Sequence, residues 1–144
     1  MNAVFLLDVN VLIAIADSRS VHRDLFLDWY RKMNFPAIAT CPITENGFLR
    51  IFGHPEYPGG PGSVAEAAKF LSGLKMRPNY HFVPDDFSLL DTGNETLSIK
   101  LSSKNLTDLY LAGLCFKHAI RFATFDRRIS VKETALSEVV EFIG

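Results

Sequence analysis

Along the first fifteen residues the pattern of apolar and polar positions changes period at a single residue. Val4-Phe5-Leu6-Leu7 is an unbroken apolar run, and Asp8 ends it. The run is too short for a helix core and too continuous for a half-exposed strand. It therefore predicts a strand over residues 3–7, buried on both faces as in a parallel sheet. After Asp8, the positions Val11, Leu12, Ile15 and Ala16 fit one face of a helix over residues 9–17. Asp8 thus stands where a strand ends and a helix begins. Two readings are open. It caps the helix, where exposed N–H groups favour a carboxylate, or it belongs to a ligand site at the carboxyl edge of the sheet.

The same alternation continues down the chain. After the turn Asp17-Ser18-Arg19-Ser20, residues 21–33 predict a second helix with an apolar stripe of Leu25, Phe26, Trp29 and Met33. Ala37 to Cys41 is a short strand between Pro36 and Pro42, and Pro42 suits the first turn of the next helix, which runs through Phe52. Gly53 to Gly62 holds three prolines and four glycines and is a loop, either a plain connector or a substrate-contacting lid. Ser63 caps a helix to Leu74, with Glu66 in capping-box position. Phe82-Val83 is a short strand. Residues 85–104 are the least legible part, with apolar content (Phe87, Leu89, Leu90, Leu97, Ile99, Leu101) for short helical pieces. Asn105 or Thr107 opens a largely buried helix that ends at His118. Arg121 to Phe125 is a strand followed by Asp126, and Val139 to Ile143 is the last strand. Strands alternating with helices, undivided by any linker or repeat, predict one α/β domain over residues 1–144 with a mainly parallel central sheet flanked by helices.

Composition narrows the class. A chain of 144 residues that is 48% hydrophobic can build a core and is no disordered linker. A net charge of −1 means that any surface for nucleic acid is local. Cys41 and Cys115 lie in apolar sequence and read as buried thiols, which suits a reducing cytoplasm. Zinc-type Cys/His spacing is absent. The N-terminus lacks the basic lead and cleavage site of a signal peptide, and Asp8 and Asn10 interrupt its apolar run, so neither export nor a membrane span is expected.

In such a sheet the helices run antiparallel to the strands, so helix N-termini and strand C-termini share one edge. Asp8 follows the first strand, and Glu45 lies in the first turn of the helix after the second. Asp108 is expected in the first turn of the helix preceding the Phe122 strand, and Asp126 follows that strand. Four acids from distant positions are therefore expected at one edge. Two like charges about 4 Å apart repel by roughly 4 kcal/mol at an effective dielectric near 20. Such crowding calls for protonation or a divalent cation, and hard oxygen ligands select Mg²⁺ or Mn²⁺. A centre of that kind suits phosphodiester hydrolysis.

Four motifs in order, Leu6-Leu7-Asp8-Val9-Asn10-Val11-Leu12, Thr44-Glu45-Asn46-Gly47-Phe48-Leu49-Arg50, Thr107-Asp108-Leu109-Tyr110-Leu111-Ala112 and Ala123-Thr124-Phe125-Asp126-Arg127, resemble the PIN-domain proteins. Among these the chain is most similar to the VapC-type toxins of bacterial toxin–antitoxin pairs, over essentially its whole length. The departures are a diverged segment 85–104 and Arg128, which stands where many relatives have glycine. The resemblance implies a metal-dependent ribonuclease with catalytic and metal-binding acids Asp8, Glu45, Asp108 and Asp126. It also implies a homodimer held in check by a small VapB-type antitoxin.

Asn10 is either an orienting partner for Asp8 or a metal-held water, or simply a polar residue on a first turn. Thr44, Thr107 and Thr124 each sit within two residues of an acid. Thr107 reads better as a helix cap, and Thr124 is the better candidate for a partner of an acid. Arg127 and Arg128 flank the edge and are candidates for RNA phosphates, as is Arg50 unless it makes a structural ion pair. Lys100 and Lys104 are weaker candidates. Phe48, Phe52 and Trp29 could stack on bases, but burial is the stronger reading for each. The four histidines match no catalytic arrangement. The main alternative is a catalytically silent PIN-like module that binds RNA or protein, which would be expected to have lost acids. A haloacid-type phosphatase would want a second aspartate where Asn10 stands, and a dinucleotide-binding domain lacks its glycine fingerprint.

Overall fold

The computed structural model describes residues 3–92, 103–128 and 135–144. The elements are β1 (Val4–Leu7), α1 (Val9–Ala16), α2 (Arg23–Lys32), β2 (Ala37–Thr40), α3 (Pro42–Phe52), α4 (Val64–Lys75), β3 (Tyr80–Phe82), α5 (Ser103–Lys117), β4 (Arg121–Thr124) and β5 (Val140–Phe142). Short 3-10 turns cover Leu89–Thr92 and Ala135–Val139. The five strands form one parallel sheet in the order β3-β2-β1-β4-β5. The chain starts in the middle of the sheet, builds outward to one side, then crosses to the other.

Strand alternation sorts side chains onto two cores. Phe5, Leu7, Ile38 and Ala123 face α1–α4, where they meet Phe26, Trp29, Phe48 and Leu71 in an aromatic-rich cluster. Leu6, Ala39 and Phe122 face the other way, onto Leu109, Leu111, Leu114 and Cys115 of α5. These two faces make three layers, as the unbroken apolar run of β1 requires. Trp29, Phe48 and Phe52 are core residues, and both cysteines are buried free thiols.

Two glycines set helix distances that matter at the edge. A Cβ on Gly47 would lie 2.8 Å from a methyl of Val9, so glycine lets the second turn of α3 approach the start of α1. A Cβ on Gly113 would meet the Phe87 ring at 2.4 Å, so glycine lets the segment after β3 lie against α5.

Three expectations shift. Helix α5 opens at Ser103, not at Asn105 or Thr107, which puts Asp108 in the second turn and leaves Thr107 exposed inside the helix. Ser, Asn and Thr are all cap-type residues, and apolar periodicity cannot choose among them. Helix α2 opens at Arg23 because Val21, though apolar, is 85% exposed. Within the segment 85–104 the described residues hold one 3-10 turn and the start of α5, while Leu97, Ile99, Lys100 and Leu101 lie outside the described residues, as does the side chain of Lys104. The 53–62 loop is pinned as a connector would be. Tyr57 packs edge-on against Phe52 and donates to Asp17 Oδ2 at 2.8 Å, and Arg19 donates to the Pro58 carbonyl.

Candidate active site

The carboxyl edge of the sheet is built around the end of β1. Asp8 has left the strand and caps α1, with Oδ1 accepting the Val9 N–H at 2.8 Å. Its other oxygen, Oδ2, accepts from Thr124 Oγ1 at 2.7 Å. Thr124 is the last residue of β4 and fully buried. A hydroxyl has one proton to give. Thr124 gives it to Asp8 and accepts the Asp126 N–H at 3.0 Å. One threonine therefore fixes both the acid after β1 and the backbone of the acid after β4.

Asp108 comes to the same place from α5 and is 9% exposed. Asp8, Asp108 and Asp126 line one cleft of about 610 Å³, together with Asn10, Arg127, Arg128 and His22. Asn10 Oδ1 is buried and finds no hydrogen-bond partner among the described residues. Arg128 turns back on Asp126, through its N–H at 2.9 Å and Nε at 3.1 Å to Oδ1. The bond to Asp126, and then the charges of Asp126 and Asp108, raise the guanidinium pKa above its ordinary value. Arg127 donates to the Gly144 carbonyl and lies over the Phe142 ring.

Glu45 is held in a different frame on the same edge. Thr40, the last residue of β2, donates to Glu45 Oε2 at 2.6 Å. Having spent its proton there, Thr40 Oγ1 accepts from the Tyr80 hydroxyl at 2.5 Å. Lys75 Nζ, from the last turn of α4, closes on the same Oε2 at 2.7 Å. Its ammonium crosses the faces of Tyr80 and Phe82, 4.7 Å from the Phe82 centroid. The bond to Glu45 is the chief reason that the Lys75 pKa is raised. Burial chiefly raises that of the Tyr80 phenol. Strand parity explains the separation. Thr40 shares the face of Ile38, toward α1–α4, while Thr124 shares the face of Phe122, toward α5.

Three of the four expected acids thus line one cleft, and Glu45 is not among the described residues lining it. Asn10, Thr124, Arg127 and Arg128 are at the cleft or beside its acids. Arg50 is exposed and not among the lining residues. Thr44 closes the first turn of α3, accepting the Cys41 N–H and donating to the Cys41 carbonyl. Sequence reasoning passed over Thr40, Lys75 and Tyr80, and it gave no role to the histidines, of which His22 lines the cleft. A signal for Thr40 was present: Ala39-Thr40 and Ala123-Thr124 are the same dipeptide at two strand ends.

The donors of the cleft are hard oxygens. Among the described residues no group of three or more acidic, His or Cys side chains is drawn together so that it could hold a metal ion. Magnesium does not need one, because it keeps several waters and takes one or two carboxylates. The three aspartates and the buried Asn10 Oδ1 fit such an open, hydrated centre.

Residues 5–134 match the family model of the PIN domain. The chain is similar to Ribonuclease VapC44 of Mycobacterium tuberculosis, with 37% identity over 126 residues, 88% of each chain. It is also similar to Ribonuclease VapC38 of the same species, with 31% identity over 121 residues, 84% of each chain. Among solved structures it resembles a chain in the crystal structure of VapBC2 from Rickettsia felis bound to a DNA fragment from their promoter. The TM-score is 0.62 at 12% identity, covering 98% of this chain and 99% of that one, a likeness of fold.

Proposed function

This chain belongs to the PIN-domain family, among its VapC-type ribonucleases, and from that premise we propose that it is the toxin of a toxin–antitoxin pair. In this reading it is an endoribonuclease that works with Mg²⁺ or Mn²⁺ in the cytoplasm as a homodimer, restrained by a VapB-type antitoxin. The observation that carries the catalytic part is the convergence of Asp8, Asp108 and Asp126, three acids far apart in sequence, on one cleft at the carboxyl edge of a parallel sheet. The whole chain, residues 1–144, would act as a single PIN domain.

A divalent ion bound there would neutralise charge on the scissile phosphate and make a water more acidic. Asp8, Asp108 and Asp126 would hold it, with Glu45 completing the acid set. The chain's own residues supply the rest. Thr124 fixes the orientation of Asp8 so that one carboxylate oxygen does not rotate away from the cleft. Asn10 Oδ1 offers an acceptor to a water beside the acids. Arg127 and Arg128 stand at the rim as phosphate contacts for RNA. The Arg128–Asp126 pair is exposed on its arginine side, where a phosphate can reach the guanidinium.

Expression of the chain alone should arrest growth of a bacterial host, and Asp108→Asn at equal protein level should relieve it. Purified protein should cleave RNA in Mn²⁺ and stop in EDTA. Equal toxicity of the Asp108→Asn protein, or cleavage indifferent to EDTA, would contradict the proposal. A silent binding module would show neither arrest nor cleavage.

A further inference from the structure

We propose that Lys75 is a positioning residue for Glu45: a built-in cation that holds its carboxylate in the Thr40–Tyr80 frame and competes with the divalent ion for it. The inference rests on the reading of Glu45 as one of the metal-centre acids. Three observations carry it. Lys75 Nζ and Thr40 Oγ1 meet the same oxygen, Glu45 Oε2, at 2.7 and 2.6 Å. The Lys75 side chain is not a loose surface arm, because it is 37% exposed and laid across the rings of Tyr80 and Phe82. Tyr80 in turn orients Thr40, since its hydroxyl has Thr40 Oγ1 as acceptor.

The geometry also fixes which side the carboxylate is held on. Lys75 ends α4 and Tyr80 starts β3, so both lie on the side of β2 away from β1. Asp8, Asp108 and Asp126 gather on the other side, at β1, β4 and α5. A carboxylate drawn to Lys75 is drawn away from the three aspartates, and the crowding of four like charges is relieved without a metal. Recruiting Glu45 to a metal then requires breaking the Lys75 contact. An ion pair this exposed contributes modestly, so the competition should set metal affinity within a small factor.

Mn²⁺ binding to purified full-length protein, followed by electron paramagnetic resonance of the free ion, tests this in a double-mutant cycle. Lys75→Met should tighten Mn²⁺ about three- to five-fold, and Lys75→Arg should restore the wild-type value. In a Glu45→Gln background, Lys75→Met should change the Mn²⁺ affinity by less than about 1.5-fold. These fold-changes correspond to a pair of this exposure. No tightening in Lys75→Met overturns the proposal. Equal tightening with and without the Glu45 carboxylate also overturns it, because the lysine would then act only through its distant field. Absence of Mn²⁺ binding to the wild type would instead sink the metal-centre reading itself, a result distinct from either.

Discussion

The carboxyl edge uses one device twice. At β4 and at β2 the last strand residue is a buried threonine that donates to a carboxylate: Thr124 to Asp8, and Thr40 to Glu45. The two halves differ in the cation that answers the acid. In the Glu45 half it is Lys75, anchored at the end of α4 and wedged over two rings. In the aspartate half it is Arg128, whose side chain is 78% exposed. Glu45 is answered by a fixed part of the fold, while Asp126 meets a cation on an exposed side chain. The half with the exposed cation is the half with the cleft.

The first way to break this comparison is to remove each threonine hydroxyl. Thr124→Val should weaken Mn²⁺ binding and RNA cleavage by about 10- to 100-fold, the usual effect of losing a partner of a metal-binding side chain. Thr40→Val should change either by less than about 5-fold, since the acid it holds is one that Lys75 already draws to the side of β2 away from the three aspartates. Titration of Mn²⁺ and initial cleavage rates on one RNA measure both. Equal effects would erase the distinction between the two halves.

Arg128→Gln is the next. It frees Asp126 from an exposed pair, so Mn²⁺ should bind about two-fold tighter, while the KM for RNA rises as a phosphate contact is lost. Weaker metal binding in this variant would mean that Arg128 supports the centre rather than yielding to it.

The smallest effect belongs to a hydrogen bond away from the edge, the Tyr57–Asp17 latch of the 53–62 loop. Tyr57→Phe should lower stability by about 1 kcal/mol, some 2–5 °C in Tm, with cleavage unchanged. The latch also has a pH signature. Hydrogen bonds from the Arg19 N–H and from Tyr57 hold the Asp17 carboxyl below its usual 3.8, so its contribution is present above that pH and lost as pH falls through the lowered value. Burial, and then Asp17, push the Tyr57 phenol up to about 12. Its contribution is present below about pH 10 and lost as pH rises through about 12. Chemical denaturation across pH, wild type against Tyr57→Phe, should show the gap between them close at both extremes.

Much of this was legible in the chain itself. The unbroken run before Asp8 required a strand covered on both faces, and the two cores supply that cover. The positions of Asp8 and Asp126 followed from strand ends, which apolar runs mark sharply. Asp108 was placed one turn too early in its helix because three cap-type residues compete for that start. The partners of Glu45 were not legible. Lys75 and Tyr80 lie thirty and more residues away, and which face of the edge Glu45 joins depends on the parity of β2 and on how β3 pairs beside it. Such cross-strand contacts leave no local periodicity to read.

The central claim is that Asp8, Asp108 and Asp126 form the metal centre, and thermal melts in EDTA and in Mn²⁺ test it most directly. An ion binding only the folded state adds about 1.4 kcal/mol at tenfold excess over Kd, or about 3–6 °C in Tm for a domain of this size. Wild-type protein should show that gain. Asp8→Asn and Asp126→Asn should melt no lower than wild type in EDTA, because each loses a repulsive charge, and should gain little from Mn²⁺. Asparagine caps a helix about as well as aspartate, so a mere cap at position 8 predicts no change in the metal response. An equal Mn²⁺ shift in wild type and in both variants would contradict the assignment.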